Sequence, residues 1–90
     1  MNKIIARLKK ENYNYKGIDD GMLIFVKQMY EYEITIFVDT EGEFDVSFIV
    51  EPNGGGDFFP CGITKLEQVK KLMEATQEAD KTEKMVRQML

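Results

Sequence analysis

Carboxylates are the side chains of this chain that could do chemistry, and they cluster in its middle. Between Asp19 and Asp57 the sequence holds ten acidic residues and a single basic one, Lys27. Paired carboxylates can hold a hard cation or serve as the acid and base of a hydrolase. However, the chain has no histidine, so its one serine and its one cysteine have no imidazole to activate them. The pattern argues against an enzyme, and we expect neither a catalytic residue nor a cofactor.

Metal and phosphate binding are also disfavoured by the spacing of these residues. The run from Asp39 to Glu43 is too short and wrongly patterned for a calcium-binding loop. Glycines 54–56 lack the Gly-Lys-Ser/Thr ending of a phosphate-binding loop and lie between Glu51 and Asp57, which would repel phosphate. The sequence therefore predicts no bound metal and no direct contact with nucleic acid.

Composition indicates a single domain spanning residues 1–90. Apolar residues at 43% and charged residues at 31% are ordinary globular values, and a net charge of −4 does not indicate disorder. Cys61 is the only cysteine, which excludes an internal disulfide and suits a reducing compartment. No apolar run has the length of a signal-peptide core or a membrane span. We expect a cytoplasmic protein with no membrane contact.

Hydrophobic periodicity predicts the elements that must position the acids. An amphipathic helix is expected over residues 2–12, and three strands are expected at Met22–Lys27, Glu31–Asp39 and Glu43–Val50. Residues 13–18 could form either a loop or an extra edge strand. The predicted fold is α+β, a three-stranded antiparallel sheet with an N-terminal helix and C-terminal helical structure.

The C-terminal helical region begins with a capping-box pattern at Thr64 and Glu67. Its apolar stripe is predicted to consist of Leu66, Val69, Leu72 and Met73. Asp80 and Glu83 resemble a second cap, so the region is expected to be one bent helix or two consecutive helices, giving αβββα or αβββαα.

Turn chemistry predicts the register of the strands. A three-residue turn with Gly42 in the left-handed region would place Val38 opposite Phe44 and Ile36 opposite Val46. In the preceding hairpin, Val26 is predicted opposite Tyr32 and Ile24 opposite Ile34. The opposite side of this sheet would be a field of acids around a few apolar side chains.

Such a field suggests a basic partner, because like charges brought together on a hairpin reduce stability. Carboxylates spaced along strands can imitate a phosphate backbone and occupy a cationic groove of a nucleic-acid-binding protein. Phe58 and Phe59, which follow the glycines, could add contacts to the partner or dock on the core. The predicted partner-binding residues are Glu31, Glu33, Phe37, Asp39, Glu41, Glu43, Asp45, Ile49, Glu51, Phe58 and Phe59.

A different interpretation is that the acids only keep the protein soluble and block edge pairing. The chain would then be a structural or assembly protein that forms a homodimer through its last helix or an open sheet edge.

The opening MNKIIARLKKENYNYK, the order of elements and the acidic middle strands resemble small phage or mobile-element inhibitors, notably anti-CRISPR proteins of the αβββα(α) kind. The resemblance implies a non-enzymatic protein in the cytoplasm of a bacterial host. It also implies that the partner is the DNA-recognition cleft of an RNA-guided nuclease or another nucleic-acid-binding protein. The glycine-rich Phe58-Phe59 segment and the less acidic C-terminal helix depart from that family.

Overall fold

Two helices and four strands make up the part of the chain that the computed structural model describes, residues 2–53 and 65–90. Their order is α1 (Asn2–Lys10), β1 (Asn14–Asp19), β2 (Met22–Met29), β3 (Tyr32–Asp39), β4 (Val46–Pro52) and α2 (Lys65–Met89). The strands pair antiparallel in the order β1-β2-β3-β4. The predicted α+β class and N-terminal helix are confirmed.

The sheet has four strands rather than the predicted three, because residues 14–19 form the extra edge strand that was one of the two alternatives for residues 13–18. Asp20 and Gly21 both adopt positive φ angles, 53° and 80°, and so make the tight two-residue turn that pairs β1 with β2. β1 contains a bulge between Tyr15 and Gly17, where Gly17 has a φ of 102°. The bulge interrupts the alternation of side chains, which explains why the sequence pattern of this strand is weak.

The β2–β3 register also differs from the prediction. Tyr30 takes a left-handed conformation in a two-residue turn, so Met29 lies opposite Tyr32 and Phe25 lies opposite Ile36. The shift is an odd number of residues, and it therefore exchanges the two faces of β2. Phe25 is fully buried, whereas Ile24 and Val26, predicted to pack in the core, lie on the other side of the sheet.

The β3–β4 register is shifted by two residues, with Ile36 opposite Phe48 and Val38 opposite Val46. The predicted three-residue turn is replaced by a six-residue connection over residues 40–45, and Gly42 has no positive φ. A Cβ at Gly42 would lie 3.0 Å from Asp39 Oδ2, so the glycine is needed here for a close approach rather than for its φ. An even shift leaves each β4 side chain on its predicted face.

Both helices pack on one face of the sheet, which we call the covered face. The core consists of Ile4, Leu8, Tyr13, Leu23, Phe25, Tyr32, Ile34, Ile36, Val38, Val46, Ala75, Ala79 and Val86. α2 is a single continuous helix with no interruption at Asp80, so two consecutive helices are excluded.

The buried stripe of α2 agrees with the predicted one only at Leu72, which packs partly buried against the core. Leu66, Val69 and Met73 are exposed, and the residues that α2 fully buries are Gln68, Ala75, Ala79, Thr82 and Val86. The small alanines allow α2 to lie close to the sheet, and buried hydrogen bonds join Tyr13 to Thr82 (3.0 Å) and Tyr32 to Gln68 (3.1 Å). No helix within residues 2–53 and 65–90 is long and apolar enough to cross a membrane.

Candidate functional site: an acidic open sheet face

The side of the sheet opposite the helices, which we call the open face, is the candidate site. Side chains alternate along each strand, and the residues whose neighbours are buried under the helices therefore point to this face. No described helix packs there. Its central positions are Met22, Ile24 and Val26 on β2, Glu33, Thr35 and Phe37 on β3, and Ser47, Ile49 and Glu51 on β4.

The middle of the open face is apolar. Ile24 is opposite Phe37 across the β2–β3 pair, and Thr35 lies between Val26 and Ile49 on the neighbouring strands. Ile49 is 48% exposed. These side chains form a contiguous strip that partner side chains could cover, as the central residues of protein interfaces are covered.

Two carboxylates lie side by side at one end of this strip. Glu33 and Glu51 are directly opposite one another on β3 and β4. Neither side chain makes an ion pair or a hydrogen bond within residues 2–53 and 65–90. Adjacent like charges of this kind destabilise a sheet by about 0.2–1 kcal/mol. Binding of a cationic group next to Glu33 and Glu51 would relieve this repulsion.

The β3–β4 connection at the other end of the strip is also acidic. Asp39 accepts hydrogen bonds from the backbone N–H groups of Glu41, Gly42 and Glu43 at 2.8–3.0 Å. These three donors hold the pKa of Asp39 below its usual value, so it stays ionised. Glu41 and Glu43 are exposed on this connection. They extend the negative charge beyond the edge of the sheet.

Glu31 and Asp45, both predicted to contact a partner, form ion pairs with α2. Lys71 Nζ lies 3.1 Å from Glu31 Oε1, and Arg87 Nη1 lies 2.6 Å from Asp45 Oδ1. The Val46 N–H and then the Arg87 guanidinium lower the pKa of Asp45. These two acids already have cations, and so contribute less to an external basic surface than Glu33 and Glu51 do.

The other chemical groups of the described chain are its potential metal ligands and its tyrosines. No group of three potential metal ligands occurs in the ranges 2–53 and 65–90. Burial raises the pKa of Tyr13 to about 12 and also raises the pKa of Tyr32, so both phenols are neutral at ordinary pH. The Tyr30 hydroxyl donates a hydrogen bond to Glu74, which raises the pKa of Tyr30 as well.

No family model, curated protein or solved structure matches this chain. Function is therefore inferred from the shape and charge of the open face.

The sequence found part of this site and missed part. It correctly placed Glu33, Phe37 and Ile49 on one face, but it missed Ile24 and Val26 because the β2 register was wrong. The unbroken apolar run of residues 22–26 in β2 indicates burial or contact on both faces, which was the available signal. Phe58 and Phe59, also predicted to contact the partner, lie outside the described residues.

Proposed function

We propose that this chain is a non-enzymatic inhibitor that binds a basic cleft of a host nucleic-acid-binding protein through its open face. The observation that carries the proposal is the Glu33–Glu51 couple, which has no ion pair among the described residues, beside a partly exposed apolar strip in which Ile49 is 48% exposed. Glu31 and Asp45, by contrast, are each paired with a cation of α2, Lys71 and Arg87 respectively. In the proposed complex, the cations that pair with Glu33 and Glu51 would come from the partner protein.

The proposed mode of inhibition is occupation of a site meant for phosphates. Nucleic-acid clefts are lined with lysine and arginine, and their affinity for phosphates comes from charge. Glu33 and Glu51 would pair with such cations, with Glu41 and Glu43 adding charge at the far end. Phe37 and Ile49 would contact apolar side chains between the cations, which a phosphate backbone does not do. The inhibitor would thus gain affinity that nucleic acid lacks.

The proposed partner is a basic bacterial protein, with the RNA-guided nucleases as the class that the sequence resemblance suggests. The anti-defence role depends on that resemblance, whereas the electrostatic mode of binding depends on the open face.

Affinity capture of the tagged protein from bacterial lysate, with mass-spectrometric identification at low and high salt, tests the proposal. We expect a basic nucleic-acid-binding protein to be captured at low salt and released at high salt. Addition of DNA or RNA should compete with the chain for the captured partner. Capture that is insensitive to both salt and nucleic acid would contradict the proposal.

A matched pair of variants assigns the binding to the open face. Glu33→Gln with Glu51→Gln raises the net charge by two without changing the shape of the side chains. Ala6→Lys with Gln88→Lys changes the net charge equally at exposed positions outside the sheet. The first variant should weaken capture by roughly 10- to 100-fold, because each desolvated charge pair contributes about 1 kcal/mol or more. The second should weaken it much less.

A further inference from the structure

The backbone of β4 presents polar groups at the outer edge of the sheet. The N–H of Asp39 donates to the carbonyl of Asp45 at 2.8 Å, and the N–H of Asn53 donates to the carbonyl of Glu31 at 2.9 Å. In this register the odd-numbered residues of β4 direct their N–H and C=O groups to β3. The even-numbered residues of β4 therefore direct theirs outward, away from the sheet.

Both ends of this outer edge are closed. The N–H of Val46 donates to Asp45 Oδ1 at 2.9 Å, and the carbonyl of Val46 accepts from Arg87 Nη2 at 3.0 Å. At the other end, Pro52 has no N–H to offer. Within residues 2–53 and 65–90, Phe48 and Val50 are the β4 residues that keep both outward backbone groups available.

The edge between these two ends is open for pairing. Among the described residues, no strand pairs with the outer side of β4, and the outward N–H and C=O groups of Phe48 and Val50 have no partner. The opposite edge of the sheet differs, because β1 carries the bulge at Tyr15 and Gly17 that disrupts pairing. β4 pairs with β3 without any such bulge and has a regular edge.

We infer that a second copy of this chain pairs with β4, antiparallel, to form a twofold-symmetric dimer with a continuous eight-stranded sheet. Phe48 of each copy would lie opposite Val50 of the other, and the two pairs would make four backbone hydrogen bonds. This register uses every open group. A shift of two residues would place Phe48 opposite Pro52, which lacks a donor, or Val50 opposite Val46, whose groups are already occupied.

The side chains fit the same register. Ile49 would lie opposite Ile49 of the second copy on the twofold axis, and the two side chains would cover part of one another's exposed surface. Ser47 would lie opposite Glu51 of the second copy, so no two acids would oppose one another across the new pair. The surface of β4 is thus complementary to itself, as an interface between identical subunits requires.

The position of α2 adds a second contact. α2 packs over β3 and β4 on the covered face, and with strands about 4.8 Å apart the two α2 helices of the dimer would be roughly 10 Å apart, near the usual helix packing distance. Arg87 reaches the outer edge of β4. Helical periodicity places Val69, Met73 and Thr76 on the same side of α2 as Arg87, the side that would face the second copy. The dimer would therefore cover the exposed side chains of Val69 and Met73.

The dimer does not rest on the proposed function: it shares Ile49 and Glu51 with the proposed binding face, but both side chains would remain on the open face, so an inhibitor could act in either state. Sedimentation equilibrium of the purified chain from micromolar to near-millimolar concentration tests it first. The expected result is a shift from 10.5 kDa toward 21 kDa, twice the mass of one chain. A mass of 10.5 kDa at every concentration would overturn the proposal and leave the edge to a strand from a different protein.

Cysteine cross-linking tests the register. In a Cys61→Ser background, Ile49→Cys would place two cysteines across the axis at a Cα–Cα distance of about 4.5 Å, within disulfide range. Ser47→Cys is the matched control, since its two copies would be about 13 Å apart along the strands. Oxidation should give a covalent dimer with Ile49→Cys and not with Ser47→Cys. Equal cross-linking of both variants, or none with Ile49→Cys, would contradict the register.

Charge variants at Ser47 give an independent check that leaves the core unchanged, because Ser47 is exposed. Ser47→Lys would create two symmetry-related attractive pairs with Glu51 and should tighten the dimer roughly fivefold. Ser47→Glu would create two repulsive pairs with Glu51 and should weaken the dimer by roughly the same factor. Thermal melts of the dilute, monomeric proteins show whether both variants fold. Folded variants that shift the dissociation constant in the same direction would overturn the pairing.

Discussion

The acidic side chains on the two faces of the sheet differ in whether a cation lies next to them. On the covered side, Lys27 Nζ lies 3.1 Å from Glu78 Oε1 and 5.2 Å from the centre of the Tyr13 ring, so that the charges of Lys27 and Glu78 compensate one another. On the open face, Glu33 and Glu51 oppose one another with no cation among the described residues. Folding alone explains the first arrangement but not the second. The pairing of individual charges is therefore a better guide to a binding surface than the net charge of the protein.

The largest expected effect concerns the two aromatic residues of neighbouring strands that occupy opposite faces. Phe25→Ala removes a fully buried side chain and should lower the free energy of unfolding by about 3–5 kcal/mol. Phe37→Ala removes a side chain that is only partly buried on the open face and should lower it less, by about 1–2 kcal/mol. Urea titration of both variants measures the difference. Equal losses would mean that the open face is part of a core.

A smaller effect is expected at the buried phenol that ties β1 to α2. Tyr13→Phe removes the hydrogen bond to Thr82 and should lower the free energy of unfolding by about 0.5–1.5 kcal/mol. The wild-type protein should also lose stability as the pH rises from about 10 to about 12. The pKa of Tyr13 is about 12 when folded and near 10 when unfolded, so the unfolded state loses its proton first.

The Tyr13→Phe protein provides the control for this alkaline effect. Its stability should depend less steeply on pH in the same interval, as measured by urea unfolding at several pH values. An unchanged slope would assign the alkaline loss to other groups.

Single Glu→Gln substitutions on the two sides of the sheet should change the free energy of unfolding in opposite directions. Glu78→Gln breaks the partly buried pair with Lys27 and should destabilise the protein by about 1 kcal/mol. Glu51→Gln relieves the repulsion from Glu33 and should stabilise it by about 0.2–1 kcal/mol. Urea titration at low salt compares them. Destabilisation by Glu51→Gln would show that Glu51 has a stabilising partner.

The smallest expected effect is a loss of stability in acid below about pH 4. Backbone donors lower the pKa of Asp39 and of Asp45 in the folded protein, so the unfolded state binds protons more readily there. Their contribution is complete above the unfolded pKa, about 3.9, and is lost as the pH falls through the lower folded pKa values. Asp39→Asn should flatten this acid loss without changing the alkaline one. A wild-type protein equally stable at pH 5 and pH 2 would contradict the assignment.

Much of the fold could be predicted from local patterns, and the errors have physical causes. The helix of residues 2–10 and the cores of β2, β3 and β4 follow from periodicity and β propensity. The β2–β3 register depends on Tyr30 adopting a left-handed conformation, which no propensity indicates for a tyrosine. The six-residue connection depends on Asp39 binding three backbone amides, a local solution that competes with the three-residue turn.

The candidate site could be predicted only in part for the same reasons. Alternation along β3 was enough to place Glu33 beside Phe37, since that strand has no bulge. The pairing of Glu31 with Lys71 and of Asp45 with Arg87 depends on where α2 lies. That position follows from the buried Ala75 and Ala79 rather than from the more apolar stripe of Leu66, Val69 and Met73. A hydrophobic pattern ranks residues by polarity, whereas packing also selects them by size.

The most direct test of the difference between the two faces measures two properties of one protein, the Glu33→Gln/Glu51→Gln variant. Its free energy of unfolding is compared with that of the wild type, and its capture of the basic partner is measured at low salt. The expected result is a protein that is more stable and yet binds its partner roughly 10- to 100-fold more weakly. A variant that gains stability and retains full binding would show that the open face is not the binding site.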